Sequence, residues 1–263
     1  MWVRELAKAV AWHVLPNGVL RQVRRRHYYR VLVKGSVAEP ELAVLGLFVK
    51  PGACAVDVGA NFGLYTKALA ELVGPSGRVY SIEPVPETFD ILTANVVRLG
   101  LRNVVPMRYA VSDSDGERVR LVVPKVRRFG PENPYRARIV SGPAPGREVI
   151  AETCTLDGLL AARASRVSFV KCDVEGHELV CLHGAMDLIR RSRPTWLIEV
   201  SGDPRTAGSS ASSVFNLMGE FGYRTHVVDG KELRPWLPDE APRDNYFFVP
   251  DAVARGNRGE RPP

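Results

Sequence analysis

The chain has 263 residues, 45% of them hydrophobic, and a formal net charge of +7. That suits one domain with decorations and a sizeable core, and it favours anionic partners without naming nucleic acid. The four cysteines, Cys54, Cys154, Cys172 and Cys181, form no C-x-x-C pair, which argues against a zinc site, and no apolar run approaches a membrane span.

Trp2 to Leu15 has helical spacing, with Val3, Leu6, Ala7, Val10 and Val14 on one side, and Pro16-Asn17-Gly18 stops it. Arg4, Glu5 and Lys8 interrupt any signal-peptide pattern, so a reducing, cytoplasmic setting is expected. Val19 to Val33 carries Arg21, Arg24, Arg25, Arg26 and Arg30 with Tyr28 and Tyr29. This segment reads either as the solvated face of a capping helix or strand, or as a surface for phosphate, a sugar acid or membrane headgroups. Glu39 to Val49 is expected to be a helix. The expected organisation is a helical, basic extension over residues 1–50, an α/β domain over 51–252 and a disordered tail over 253–263.

Ala53 to Gly63 reads A-C-A-V-D-V-G-A-N-F-G. Cys54 to Val58 predicts a buried strand, Gly59 and Gly63 bracket a tight turn, and Leu64 to Val73 predicts a helix. This is the opening of a nucleotide-type βα unit. The next strand, Arg78 onward, closes on Glu83-Pro84, an acid placed to accept hydrogen bonds from ribose hydroxyls. The dinucleotide pattern G-x-G-x-x-G is absent, and Asp57 stands where a pyrophosphate would lie. A carboxylate repels a diphosphate but favours an ammonium or sulfonium. S-adenosylmethionine has both cations and no phosphate. The bland alternative is a loop that merely joins strand to helix.

Glu87 to Leu99 predicts a helix closed by Gly100, and Asn103 to Tyr109 a third strand. Ala110 to Gly116 is a turn and Arg118 to Val123 alternates as an exposed strand. Residues 124–147 lack periodicity and carry Lys125, Arg127, Arg128, Arg136, Arg138 and Arg147, the pattern of a lid or binding loop. A strand over Glu148 to Thr155 and a short helix over Leu156 to Ala164 follow. Val167 to Val174 is a further central strand, with a helix after Glu175 running to Ser192. Thr195 to Val200 is a strand and Ala211 to Phe221 a helix. Tyr223 to Asp229 and Asn245 to Pro250 form a closing strand pair. Alternating strands and helices imply a mostly parallel sheet covered on both faces, with one antiparallel strand at the end.

Lys171, Asp173, Glu175 and Glu178 crowd the end of the Val167 strand, and Glu199 ends the next. Ligands of open α/β sheets bind beyond the carboxyl ends of the strands. These acids therefore suit a cationic cofactor, a metal or proton transfer. Glu175 and Glu178 equally suit a helix N-terminus.

At V-D-V-G-A-N-F-G-L-Y-T (Val56 to Thr66), V-Y-S-I-E-P (Val79 to Pro84), A-V-S-D-S-D-G (Ala110 to Gly116), T-L-D-G-L-L (Thr155 to Leu160) and F-V-K-C-D-V-E-G-H-E (Phe169 to Glu178), the chain resembles the FkbM family of S-adenosylmethionine-dependent methyltransferases. The resemblance implies a Rossmann-like class I methyltransferase fold with a seven-strand sheet. It implies O-methylation of a hydroxyl, often of a sugar in a glycan, glycolipid or natural product. It further implies cofactor contacts for Asp57, Gly59, Asn61 and Glu83, with Gly63 and Asp113 beside them. The general base is sought among Asp173, His177 and Glu199, in that order, with no metal assigned. The acceptor is expected to bear hydroxyls and, from the arginines, an anionic group. Contact of the basic N-terminal segment with a membrane surface is a further expectation. The rivals are a nucleic-acid methyltransferase, which would want an N-P-P-Y-like loop where D-V-E-G stands, and a nicotinamide oxidoreductase, weakened by Asp57 and the missing glycine.

Overall fold

The structure, a computed structural model, describes residues 17–37, 39–124, 136–164, 166–251 and 253. Five short apolar strands form the middle of the main sheet. In spatial order they are β3 (Val104–Met107), β2 (Arg78–Ile82), β1 (Cys54–Val58), β8 (Phe169–Cys172) and β9 (Thr195–Glu199), all parallel. Beyond β9 lies β12 (Asn245–Pro250), antiparallel to it, and then β10 (Tyr223–Asp229). These seven, with β12 as the reversed strand, are the sheet expected from the resemblance. An eighth, β11 (Glu232–Pro235), pairs antiparallel with β10 at the edge and is a second reversed strand. Its four residues, E-L-R-P, have no apolar alternation that would mark a strand, and the turn before it is made by Gly230 at φ 63°.

Strand alternation splits the core into two layers. Val56, Val58, Val170, Cys172, Trp196 and Ile198 face one, and Ala55, Phe169 and Leu197 the other. The first layer is closed by α4 (Leu156–Leu160), α5 (Glu178–His183), α6 (Met186–Arg191) and α7 (Ser210–Glu220). The second is closed by α2 (Leu64–Val73) and α3 (Pro86–Arg98), together with two 3-10 turns. Thr66, Leu69, Ala70 and Val73 give α2 one buried stripe at helical spacing. Thr155 caps α4 by accepting from the Gly158 N–H at 2.9 Å, and Ser209 caps α7 by accepting from the Ser212 N–H at 3.0 Å.

Three helical expectations change. The run Glu39 to Val49 is not one helix but two 3-10 turns, Pro40–Ala43 and Leu45–Leu47. Gly46 and the closing Pro51-Gly52 leave too short a stretch to repay helix nucleation. The helix expected to reach Ser192 is broken into α5 and α6 at Gly184-Ala185. A β-carbon on Gly184 would lie 1.9 Å from the Ser112 carbonyl oxygen, so the chain must pass there without a side chain. The helix expected from Leu156 to Ala164 ends at Leu160.

A second, smaller sheet has the order β4 (Ala110–Val111), β7 (Arg147–Cys154), β5 (Arg118–Val123), β6 (Arg138–Ile139). β5 is not the exposed alternating strand expected: Leu121, Val122 and Val123 are all buried. Val85, Ala110, Val149 and Ala151 pack with Leu121 and Val123 into a third apolar cluster. Part of the expected loop at 124–147 thus belongs to this sheet, while Lys125, Arg127 and Arg128 lie outside the described residues.

The basic segment is helical, α1 (Asn17–Lys34), and packs against α3. Arg21 and Arg25 both donate to the Asp90 carboxylate, each at 2.8 Å through Nε. Tyr28 stacks on Phe62 of the glycine turn, ring centroids 4.8 Å apart. Two of the five arginines read as a phosphate or headgroup surface are therefore held by α3. The helix expected over Trp2 to Leu15 and the tail at 254–263 lie outside the described residues. No described helix is long and apolar enough to cross a membrane.

Candidate active site

The cleft opens at the carboxyl ends of β1, β2 and β8, under the smaller sheet. Its floor is the turn after β1. Gly59 has φ 74°, and a β-carbon there would lie 1.8 Å from the Asp173 carbonyl oxygen, so only glycine lets the two segments approach. Asn61 also sits in the left-handed region, φ 54°, and its Oδ1 accepts from the Phe62 N–H at 2.8 Å. Gly63 at φ 98° leads into α2, with Leu92 Cδ1 only 3.0 Å from where its β-carbon would stand.

Glu83 follows β2 and is 5% exposed. Its Oε2 accepts from the Asn61 N–H at 3.0 Å and its Oε1 from the Val85 N–H at 2.9 Å. Burial pushes this carboxyl up to about 7, against the pull of those two N–H groups. Each oxygen keeps a lone pair for the cleft, which suits two vicinal ribose hydroxyls. Val85, Tyr109, Val111, Leu121, Ala137 and Ile139 give the cleft an apolar wall fit for a purine. Half of that wall comes from the smaller sheet, whose strands the sequence reading had not placed at the cleft.

Asp57 departs from its expected place. It is 1% exposed, does not line the cleft, and accepts from Thr66 Oγ1 at 2.6 Å; Thr66 Oγ1 also lies 2.9 Å from Ser81 Oγ. Strand alternation turns it with Ala55 toward α2, so it braces the helix that carries the glycine turn and is not a direct ammonium contact in this geometry. Burial pushes its carboxyl up to about 6. Asp113 is exposed and outside the cleft lining, near Ser112 Oγ at 3.3 Å, and its charge acts on His177. Two motifs around it are structural. Asp115 accepts from the Thr155 N–H at 2.7 Å, and Asp157 accepts from the N–H groups of Asp187 and Leu188 at 2.8 and 2.7 Å, capping α6.

At the end of β8 the cleft is lined by Asp173, Glu175 and His177. Glu175 and Gly176 form a left-handed turn at φ 52° and 97°, and Glu178 folds back to accept from the Gly176 N–H at 2.8 Å. Glu178 is thus a buried helix-start acid, the plain reading of the two offered. His177 Nε2 is buried without a hydrogen-bond partner among the described residues, and burial lowers its imidazole below the ordinary value. Glu199 does not line the cleft; it ends β9 beside the end of β8 that carries Asp173. Burial first, then the Asp173 charge, push Glu199 up to about 7. Lys171, almost wholly buried, lies 3.7 Å from Asp173 Oδ2. Among the described residues no group of three or more His, Cys, Asp and Glu is arranged to hold a metal ion.

The description "Methyltransferase FkbM domain" matches residues 57–225, which run from Asp57 into β10 and include every cleft residue named above. The chain belongs to the FkbM methyltransferase family. The cofactor of such a domain is S-adenosylmethionine, and the acid after β2, the glycine turn and the apolar wall fit it. The chain is 31% identical over 173 residues to the hexuronic acid methyltransferase AglP of Haloferax volcanii, covering 65% of this chain and 64% of that one. It is 30% identical over 165 residues to the 31-O-demethyl-FK506 methyltransferase FkbM of Streptomyces tacrolimicus, covering 54% and 63%. The chain thus spans just under two thirds of the length of each of these relatives. The crystal structure of methyltransferase FkbM from Methylobacillus flagellatus KT aligns with TM-score 0.50 and 18% identity, over 80% of this chain and 50% of that one, a likeness of fold.

Proposed function

We propose that the protein transfers the methyl group of S-adenosylmethionine to a hydroxyl of a carbohydrate acceptor that carries an anionic group. The carrying observation is the placement of Asp173. It lines the same cleft as Glu83 and Asn61 and stands at the carboxyl end of β8 beside Glu199. The cofactor supplies an electrophilic methyl on a positive sulfur. The chain's residues supply position and proton control. With the cofactor bound, Asp173 would take the acceptor hydroxyl's proton, and the cofactor would supply the methyl and keep the electron pair of the bond that breaks. An alcohol is scarcely ionised near neutral pH, so a positioned base adds about 10²–10⁴-fold. Glu83 holds the ribose, and the Gly59 turn brings the backbone close to the cofactor.

Support for the acceptor class comes from two sides. One relative is named for a hexuronic acid and another for an O-demethyl position. Arg136 and Arg138 stand near Glu175, their charges lowering its carboxyl against the burial that raises it. Arginine forks suit a sugar carboxylate or a phosphate. The test is methyl transfer from isotopically labelled S-adenosylmethionine to uronic-acid glycosides, neutral glycosides and RNA. A base-stable methyl ether on the uronic glycosides is expected. A base-labile methyl ester would overturn the hydroxyl reading, and labelling of RNA alone would restore the nucleic-acid rival.

A further inference from the structure

The opposite end of the main sheet carries a second, basic cavity. The cofactor cleft lies at the carboxyl ends of the strands, where ligands of such sheets bind. This cavity, of about 590 Å³, opens instead at the amino ends of β1, β2 and β8. Cys54 and Arg78 start the first two strands there, and Ser168 precedes the third. The five residues of β1, at about 3.3 Å each, set the cavity roughly 16 Å from the cleft. Arg78, Arg163 and Arg166 line it, and all three are exposed. No acid lines the cavity, and among the described residues none of the three forms an ion pair. Arg120, Arg205, Arg224 and Arg234, by contrast, each hold a carboxylate. The frame around the three arginines is tied down. Tyr80 Oη donates to the Arg163 carbonyl oxygen at 2.8 Å, joining the segment after α4 to β2. Arg163 Nη1 donates to the Leu159 carbonyl oxygen at 2.5 Å. Ser168 donates to the Cys54 carbonyl oxygen through both Oγ and N–H, at 3.0 and 2.9 Å. Both hydroxyl donors are thus spent, and the guanidinium groups are the side-chain donors left for a ligand. Burial pushes the Cys54 thiol up to about 11, so it stays neutral and supplies no nucleophile.

We propose that this cavity is a second ligand site, separate from the cleft, in which Arg78, Arg163 and Arg166 hold the dianion of a phosphate monoester. Three like charges around one opening repel one another, and a doubly charged ligand relieves that repulsion more than a single charge does. The planar guanidinium fork matches a pair of phosphate oxygens, and a phosphate has oxygens enough for more than one fork. A carboxylate, with two oxygens and one charge, would leave part of the cluster unused. The volume falls in the range of small-ligand sites, and the small side chains of Ala53 and Ala164 leave room beside the arginines for the organic part of the ester. A soluble sugar or glycerol phosphate and the headgroup of phosphatidic acid share this chemistry. The proposal is independent of the methyl-transfer reading, since no residue of the cavity lines the cleft.

The test uses the full chain and two probes. In the first arm, glycerol 3-phosphate is titrated into the protein by calorimetry, with S-adenosylhomocysteine saturating the cofactor cleft. Saturable binding is expected. Arg78→Gln combined with Arg166→Gln should weaken it at least about tenfold, because hydrogen bonds between charged groups are lost, while S-adenosylmethionine affinity stays within about twofold. Both side chains are exposed, so the double variant is expected to fold. Arg78→Lys, which keeps the charge and loses the fork, should fall between the double variant and the wild type. The second arm is sedimentation with phosphatidylcholine vesicles, with and without phosphatidic acid. Binding of glycerol 3-phosphate identifies a soluble monoester, and binding of phosphatidic acid vesicles alone identifies a headgroup. Either supports the site when the double variant removes it. Arg26→Gln combined with Arg30→Gln, on α1, should change neither result. Failure of both probes to bind would overturn the proposal. So would binding that survives the loss of Arg78 and Arg166, or that disappears with the α1 arginines instead.

Discussion

Gly59 and Asp173 meet so closely that a β-carbon on the glycine would lie 1.8 Å from the aspartate's carbonyl oxygen. The contact joins the turn after β1 to the end of β8, and both line the cleft. Gly59→Ala is expected to lower stability by at least about 3 kcal/mol, combining a left-handed backbone with overpacking against immobile backbone. Gly116→Ala is the control. It has a similar φ of 73° but nothing within 4 Å of the added carbon, so about 1–2 kcal/mol is expected. Thermal unfolding of the two variants separates close approach from backbone strain. Equal losses would show that Asp173 can give way.

Much of this cleft can be read from the residues in chain order, and the reasons for the misses are physical. Gly59, Asn61, Glu83, Asp173 and His177 were legible because each ends or follows an apolar strand, where ligands of such sheets lie. Asp57 is expected at the cofactor because it stands where a pyrophosphate would lie, but its direction follows from alternation with Ala55, and Thr66 satisfies it. The strand β11 and the break at Gly184 depend on tertiary contacts that no local pattern records. The apolar wall from Leu121 and Ile139 is invisible to motif reading, since it is built by pairing β5 with β6 across residues 124–137.

Glu83 gives the second prediction. Its two oxygens hold the N–H groups of Asn61 and Val85, so the residue shapes the turn as well as facing the cleft. Glu83→Gln keeps the size but offers one accepting oxygen to two N–H donors. Hydrogen bonds to a charged group contribute about 1.5–3 kcal/mol, so S-adenosylmethionine affinity by calorimetry should fall about 10- to 100-fold. With the wild-type carboxyl pushed up to about 7, affinity should also weaken as pH drops from 8 to 6. That pH dependence should vanish in Glu83→Gln. Persistence of the slope would place it on another group.

The third prediction concerns stability and pH. Burial raises Asp57 to about 6, and Glu83 and Glu199 to about 7, from ordinary values of 3.8, 4.5 and 4.5. For a carboxyl raised in the folded state, the folded protein binds the extra proton. Its contribution is complete below the ordinary value and is lost as pH rises through 6 to 7. His177, lowered by burial, acts in the opposite direction, losing its contribution as pH falls. Three raised carboxyls outweigh one imidazole, so the cofactor-free protein should melt several °C higher at pH 5.5 than at pH 8, on the order expected for a few kcal/mol in a chain of this size. Asp57→Asn, which keeps an oxygen for Thr66, should flatten the curve. A melting temperature that rises steadily toward pH 8 would contradict the burial of these acids.

The last prediction is the base. Asp173 and His177 line the cleft, whereas Glu199 does not. His177 Nε2 has no hydrogen-bond partner among the described residues, which makes that residue a rival, and burial lowers its imidazole below the ordinary value. Asp173 is preferred because it lines the cleft at the carboxyl end of β8, where ligands of such sheets lie. Asp173→Asn should therefore cost at least about 100-fold in single-turnover methyl transfer to a uronic-acid glycoside at saturating cofactor, with S-adenosylmethionine affinity held within a few-fold. Glu199→Gln should cost less, about tenfold, because Glu199 does not line the cleft. His177→Ala should alter the acceptor KM more than the rate if the ring only positions the hydroxyl. A larger rate loss in His177→Ala than in Asp173→Asn would exchange the two roles. Chelator should leave all four rates unchanged, and a chelator-sensitive wild type would mean that Asp173 and Glu199 hold a cation instead of a proton.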